Sequence, residues 1–169
     1  MNHYADSSFL VSCYIVDANT NKAKSWLSRI GAPLVFTALH ALEVRNAFQL
    51  GVFRVFFSAA NAAATWVNLE KDLSSGRLIK TAVNWPVAYR LAARLSERHS
   101  AVTGTRCLDI LHIAAAKTLR ATELVSFDTR QRTLAVAVGL SASPQVASAT
   151  IENTRSRKIS QSTAPFTAP

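Results

Sequence analysis

Acidic side chains are scarce in this chain. Only 10 Asp and Glu stand against 19 Lys and Arg in 169 residues, for a formal net charge of +9. That balance favours a polyanionic partner and says nothing about the fold. Residues 1–150 hold 16 basic and 9 acidic side chains, so the excess belongs mainly to the part expected to fold. Cysteine is almost missing too. Cys13 and Cys107 have neither zinc-site spacing nor a disulfide framework, and are expected as buried, reduced thiols of a cytoplasmic protein. No basic segment followed by an apolar run opens the sequence, so no signal peptide is expected. No uncharged apolar stretch of about 18 residues occurs, so no membrane span is expected either. Residues 55–69 come nearest, but Asn61 and Asn68 interrupt them and Glu70-Lys71-Asp72 follows. Charged residues make up 17% and hydrophobic residues 49%, the composition of a globular domain. No internal repeat is present.

With so few acids, each one in an apolar setting is informative. Asp109 lies inside Arg106-Cys-Leu-Asp-Ile-Leu-His-Ile-Ala-Ala-Ala116, a nearly apolar run of helical spacing. A carboxylate among Leu108, Ile110, Leu111 and Ile113 needs a positive partner or takes up a proton. Arg106, His112, a cation from elsewhere in the fold or a metal ion would each serve. A lone His on such a helix reads first as a hydrogen-bonded core residue.

Short apolar runs alternate with helical patterns along the chain. A brief strand is expected to end at Asp6, with a helix from Ser7 or Ser8. A helix over 21–30 is stopped by Gly31-Ala32-Pro33. Leu34-Val35-Phe36 reads as a strand, and Thr37 as the cap of a helix over 38–50 that Gly51 ends. A long helix follows over 53–73. A short edge strand lies within 78–83. Pro86 suits the first turn of a helix over 87–99, and 102–105 reads as a loop. The Asp109 helix runs to about Arg120. A strand over 124–127 ends at Asp128, a helix spans 129–138, and Leu140 begins a last strand. Trp26, Trp66 and Trp85 read as core. From Ser141 the composition turns to Ser, Thr, Ala and Pro, the pattern of a flexible C-terminal tail over 143–169. This alternation predicts an α/β fold with a short central parallel sheet flanked by helices.

Ligands of open parallel sheets bind beyond the carboxyl ends of the strands. Asp6 and Asp128 stand at such ends, while Glu43 and Asp109 project from helices beside apolar stripes. Converging carboxylates repel one another, and a hard divalent cation such as Mg2+ or Mn2+ relieves this with oxygen ligands alone. Arg130, Arg132 and the start of the helix after Asp128 could hold phosphates.

Four segments together resemble the PIN-domain nucleases, and within them the VapC toxin ribonucleases of bacterial toxin–antitoxin pairs. They are Tyr4-Ala-Asp-Ser-Ser8, Leu42-Glu43, Arg106-x-x-Asp-x-x-His-x-Ala-x-Ala116 and Ser126-Phe-Asp-x-Arg-Gln-x-x-Leu-Ala135. The resemblance covers about residues 3–142 and implies a three-layer α/β/α PIN-like domain over 1–142. It implies a Mg2+- or Mn2+-dependent endoribonuclease with Asp6, Glu43, Asp109 and Asp128 as the acidic, metal-holding site, Asp6 and Asp109 foremost. Ser7 and Ser126 match positions that often carry a supporting hydroxyl. It also implies an RNA substrate, a homodimer and a cognate antitoxin. The tail is longer than the family pattern. The other reading is a non-catalytic PIN-like module that binds RNA or protein. A phosphotransferase built on Asp6 fits less well, because Ser8 stands where a second Asp would be needed. The helices over 38–50 and 53–73 carry more apolar residues than one buried face requires, so part of that surface is expected to meet another chain.

Overall fold

The computed structural model of the chain describes residues 3–144. Five three-residue strands and seven helices alternate: β1 (His3–Ala5), α1 (Ser7–Tyr14), α2 (Thr20–Ile30), β2 (Leu34–Phe36), α3 (Ala38–Phe53), α4 (Ala59–Ser74), β3 (Leu78–Lys80), α5 (Trp85–Thr103), α6 (Cys107–Thr118), β4 (Glu123–Val125), α7 (Thr129–Ala137) and β5 (Ser141–Ser143). All strand pairs are parallel. β1, β4 and β5 form one sheet in the order β1-β4-β5, and β2 pairs with β3 in a second.

Period-two alternation divides the core into two layers. Tyr4, Val35 and Leu124 turn to one face, where α5, α6 and α7 bury Leu95, Ile110, Leu111, Ile113 and Leu134. Ala5, Leu34, Phe36 and Val125 turn to the other, against Phe9, Trp26, Phe48 and Leu69 from α1 to α4. The expected three-layer α/β/α arrangement is therefore the observed one.

β2 runs beside β1 without a shared ladder. Between them the fully buried His40 does the work of a backbone partner. Its Nε2 donates to the Ala5 carbonyl at 2.8 Å, and its Nδ1 accepts from the Thr37 N–H at 2.9 Å. Burial, and then the charge of His112, lower its pKa to about 3, so this imidazole is neutral.

Several boundaries differ from the sequence expectation. Gly51 does not end α3, which runs on to Phe53. The glycine is there for space: a Cβ on it would lie 2.2 Å from Phe57 Cζ. The expected helix over 53–73 starts only at Ala59, capped by the Ser58 side chain. The break needs Val55 at φ 60°, a strained value for a β-branched residue. The strand expected over 124–127 ends at Val125, and α5 extends to Thr103 through the expected loop. Cys107 is exposed rather than buried, while Cys13 is partly buried and burial pushes its thiol up to about 12. Trp26 is core; Trp66 and Trp85 are partly buried. β5 runs through Ser143, and the expected tail from 145 onward lies outside the described residues.

Around the α3–α4 break an apolar patch stays uncovered. Phe53, Val55 and Phe56 are 83%, 87% and 73% exposed. No helix among the described residues is long and apolar enough to cross a membrane.

Candidate active site

The parallel sheet brings the carboxyl ends of β1 and β4 together, and the acids gather there. Asp6 follows β1 directly and caps α1. It is 3% exposed, yet it is well supplied with donors. Oδ1 accepts from the Phe9 N–H at 2.7 Å, both oxygens lie 2.9 Å from Ser8 Oγ, and Oδ2 accepts from Ser126 Oγ at 2.6 Å. Burial pushes the Asp6 carboxyl up from the ordinary value of 3.8, against the pull of Ser126, His112, Phe9 and Ser8.

Ser126 is fully buried in the turn after β4 and holds two parts of the site at once. Its hydroxyl donates to Asp6 and accepts from the Asp128 N–H at 3.0 Å. Asp128 caps α7, with Oδ1 accepting from the N–H groups of Arg130 and Gln131 at 2.8 and 2.9 Å. Those donors, expected to be free for phosphate, are therefore already taken.

Asp109 projects from the first turn of α6 and is half-buried. Oδ2 accepts from the Arg106 N–H at 3.3 Å and Oδ1 from Gln131 Nε2 at 3.5 Å. Its carboxyl is raised above the ordinary 3.8 by burial first, then by the charge of Asp128 and, more weakly, of Asp6; Arg106 opposes the shift. Of the protein groups considered for Asp109, Arg106 meets it through its backbone N–H. His112 turns elsewhere.

Glu43, on α3, is paired away from the other acids. Its Oε2 accepts from Ser7 Oγ at 2.7 Å and from His112 Nε2 at 2.5 Å. Partial burial raises its pKa, but the His112 hydrogen bond and charge, with Ser7, outweigh that and hold the carboxyl below the ordinary 4.5. His112 is 2% exposed, with Nδ1 3.0 Å from Tyr4 Oη. Burial keeps the Tyr4 phenol well above its ordinary value. Since a carboxylate oxygen only accepts, His112 Nε2–H is the donor to Glu43. His112 is the core histidine expected, and also the residue that fixes Glu43.

The two arginines divide. Arg130 is exposed and lies along Gly104, its Nη1 donating to that carbonyl at 3.4 Å. Arg132 reaches the Ser126 carbonyl at 2.9 Å and the Ala142 carbonyl at 3.4 Å, tying the β4 turn to β5. Its placement gives the expected phosphate role no support. Gln131 is a site residue that the sequence did not single out, although it sits within the Ser126–Ala135 run. It is fully buried, joins Asp128 to Asp109, and leaves its own Oε1 without a partner among the described residues.

Among the described residues, no three His, Cys, Asp or Glu side chains close around a point that could hold a metal ion. The donor set still fits a hard cation of the Mg2+ type. That ion keeps much of its water shell and takes only one or two carboxylates from the protein. Asp6, Asp109 and Asp128 supply oxygen alone, and Asp109 feels the charge of the other two. They do not fit a closed zinc cage. A cavity of about 420 Å³ lies elsewhere, at the amino ends of β2 and β3, and shares no residue with the acids.

The fold matches solved structures. VapC20 of Mycobacterium tuberculosis, a toxin that cleaves the sarcin-ricin loop, aligns with a TM-score of 0.62 at 17% identity, over 85% of this chain and 100% of that one. FitAcB of Neisseria gonorrhoeae aligns at 0.55 and 14%, over 83% and 95% of the two chains. VapBC2 of Rickettsia felis, solved on a DNA fragment from its promoter, aligns at 0.54 and 12%, over 85% and 98%. At such identities the likeness concerns the fold. No curated protein sequence matches. The family model of the PIN domain matches residues 4–137, which takes in all four acids. The chain belongs to the PIN domain family.

Proposed function

We propose that this chain is a Mg2+- or Mn2+-dependent endoribonuclease, the cytoplasmic toxin of a toxin–antitoxin pair. The observation that carries this reading is the gathering of Asp6 and Asp128 close enough for Asp109 to feel their charge, at the carboxyl end of a PIN-domain sheet on a strongly basic chain. The likeness to the toxin VapC20 and to the VapBC2 complex supports the toxin assignment by analogy of fold.

Asp6 and Asp109 would hold the metal, with Asp128 acting through water. A bound Mg2+ or Mn2+ would supply Lewis acidity at the phosphate and lower the pKa of a water. The chain does the rest. Ser126, Ser8 and the Phe9 N–H fix the Asp6 carboxylate, and Gln131 fixes Asp109 against Asp128. Glu43, named from the sequence among the metal-holding acids, would serve as the base. His112 and Ser7 keep it ionised, so that it could accept the proton of the attacking water. Arg130 faces solvent beside the acids and can steady a phosphate oxygen. Water gives its proton to Glu43 and attacks phosphorus in line, the P–O3′ bond breaks, the 3′-oxygen takes a proton from solvent, and a 5′-phosphate results. The substrate 2′-hydroxyl takes no part.

The test is digestion of RNA by the full chain with Mg2+ or Mn2+ and with EDTA. Cleavage undiminished by EDTA overturns the mechanism. One observation favours the non-catalytic reading, namely that no three ligating side chains converge among the described residues. Thermal unfolding with millimolar Mn2+ separates the two, since a cation bound only by the native state raises the midpoint. The apolar patch of Phe53, Val55 and Phe56 fits an antitoxin or a second copy of the chain. Light scattering on the chain alone, and activity after antitoxin is added, test those partners.

A further inference from the structure

Arg90, Arg94 and Arg98 stand at four-residue intervals along α5, and all three are exposed. Each step is about 6 Å along the axis and turns about 40° around it, so the three form one slanting ridge. Among the described residues none of them is engaged in a hydrogen bond or an ion pair. Several other cations of the fold are occupied. Arg77 pairs with Asp72, Lys117 and Arg132 bind carbonyls, and Arg45 stacks 3.8 Å over the Trp66 ring. Glu97 is the one acid on this stretch of α5.

The ridge has a direction. α5 ends at Gly104, in the left-handed conformation at φ 64°. Arg130 Nη1 donates to the Gly104 carbonyl, and Thr105 Oγ1 donates to the Arg130 carbonyl at 3.4 Å. Arg130 opens the helix capped by Asp128. The carboxyl end of α5 is thus tied to the edge of the acidic site, with exposed Arg106 on the same connection.

We infer that the Arg90–Arg94–Arg98 ridge seats the phosphate backbone of the RNA strand beyond the cleaved bond. Guanidinium groups bind phosphate oxygens through paired N–H donors, and arginine at regular intervals meets successive phosphates. The seat gives affinity and register without reading sequence. This inference rests on the proposed nuclease function.

The experiment uses the full chain and the triple variant Arg90→Ser/Arg94→Ser/Arg98→Ser, with thermal unfolding to confirm an unchanged fold. Two substrates are compared, a tetranucleotide and an RNA of about 20 nucleotides that both contain the same cleavable step. With three guanidinium groups no longer neutralising phosphates, the salt slope of 1/KM for the longer RNA falls by about 2, and KM rises about tenfold or more at moderate salt. Its kcat and cleavage of the tetranucleotide stay as in the parent chain. Triple Arg→Lys keeps the salt slope. An unchanged KM and salt slope on the longer RNA overturns the inference. If the parent chain cleaves neither RNA, the nuclease reading fails by itself, and fluorescence anisotropy of the labelled strand then decides the ridge. Lost salt-dependent binding in the triple variant supports it, and equal binding overturns it. Loss of binding to phosphatidylserine vesicles with RNA binding intact also overturns it and assigns the ridge to a membrane surface.

Discussion

Glu43 and His112 lie 69 residues apart in the sequence and 2.5 Å apart in space, Oε2 against Nε2. Replacing His112 by Leu takes one partner from the buried Tyr4 hydroxyl and one from the Glu43 carboxylate, which keeps Ser7. The expected cost is about 1–3 kcal/mol in urea unfolding. The pH dependence has a definite sign. The Glu43 pKa is lower when folded, so its contribution is present above the ordinary 4.5 and is lost as pH falls through the folded value. The His112→Leu chain lacks this acid-side decline. Equal slopes for the two chains between neutral pH and about pH 3 would show that the pair is energetically idle.

Asp109→Asn keeps shape and removes charge. Activity is expected to fall by at least about a hundredfold. Stability moves the other way. The folded pKa of Asp109 is raised, so the parent chain loses stability as pH rises past the ordinary 3.8. The variant escapes this loss, unfolding later than the parent near neutral pH and alike well below the ordinary 3.8. Activity retained within a few-fold makes Asp109 structural.

Ser126→Ala removes one hydroxyl that serves Asp6 and the Asp128 backbone together. About 1–3 kcal/mol of stability should go with it. Activity or Mn2+ affinity should drop about 10- to 100-fold, as for other groups that orient a ligand. Activity equal to the parent's would mean that the Phe9 N–H and Ser8 suffice to hold Asp6 in place.

Gly51→Ala tests packing against propensity. Alanine favours a helix interior by about 1 kcal/mol. Here its methyl would meet the Phe57 ring at 2.2 Å, so a net loss of about 1–3 kcal/mol is expected. Adding Phe57→Ala should recover the helix gain. Urea midpoints of the two single variants and the double variant check this.

Much of this architecture is legible in the sequence because it is local. Asp6 before Ser7-Ser8 and Thr37 before Ala38 are cap signals, and both caps are observed. Leu34-Val35-Phe36 is a strand with the expected limits. The α3–α4 break is not legible. Residues 53–58 hold no proline or glycine, and the turn is made by a strained valine and a ring folding back on Gly51. The glycine is a real signal with two meanings, since close approach and helix ending both call for Gly. The site shows the same division. Its four acids stand out on a chain poor in acids, but the Glu43–His112 pair is a tertiary contact between two helices. The hint is that each lies beside an apolar stripe. Arg132 resembles a phosphate ligand in sequence because a carbonyl partner leaves no trace there.

The pairing of β1 with β4 sets when activity can arise during synthesis. Ala5 is in register with Val125, and the Asp6–Ser126 bond spans 120 residues. A chain emerging from the ribosome carries Asp6 and Glu43 early but has nothing to close the site. Synthesis proceeds at about 5–20 residues per second, so that interval lasts several seconds. Contacts between such distant segments also form late in folding. On the proposed nuclease reading, a nascent chain that stops before the end of β4 lacks Ser126 and Asp128 and cannot close the site.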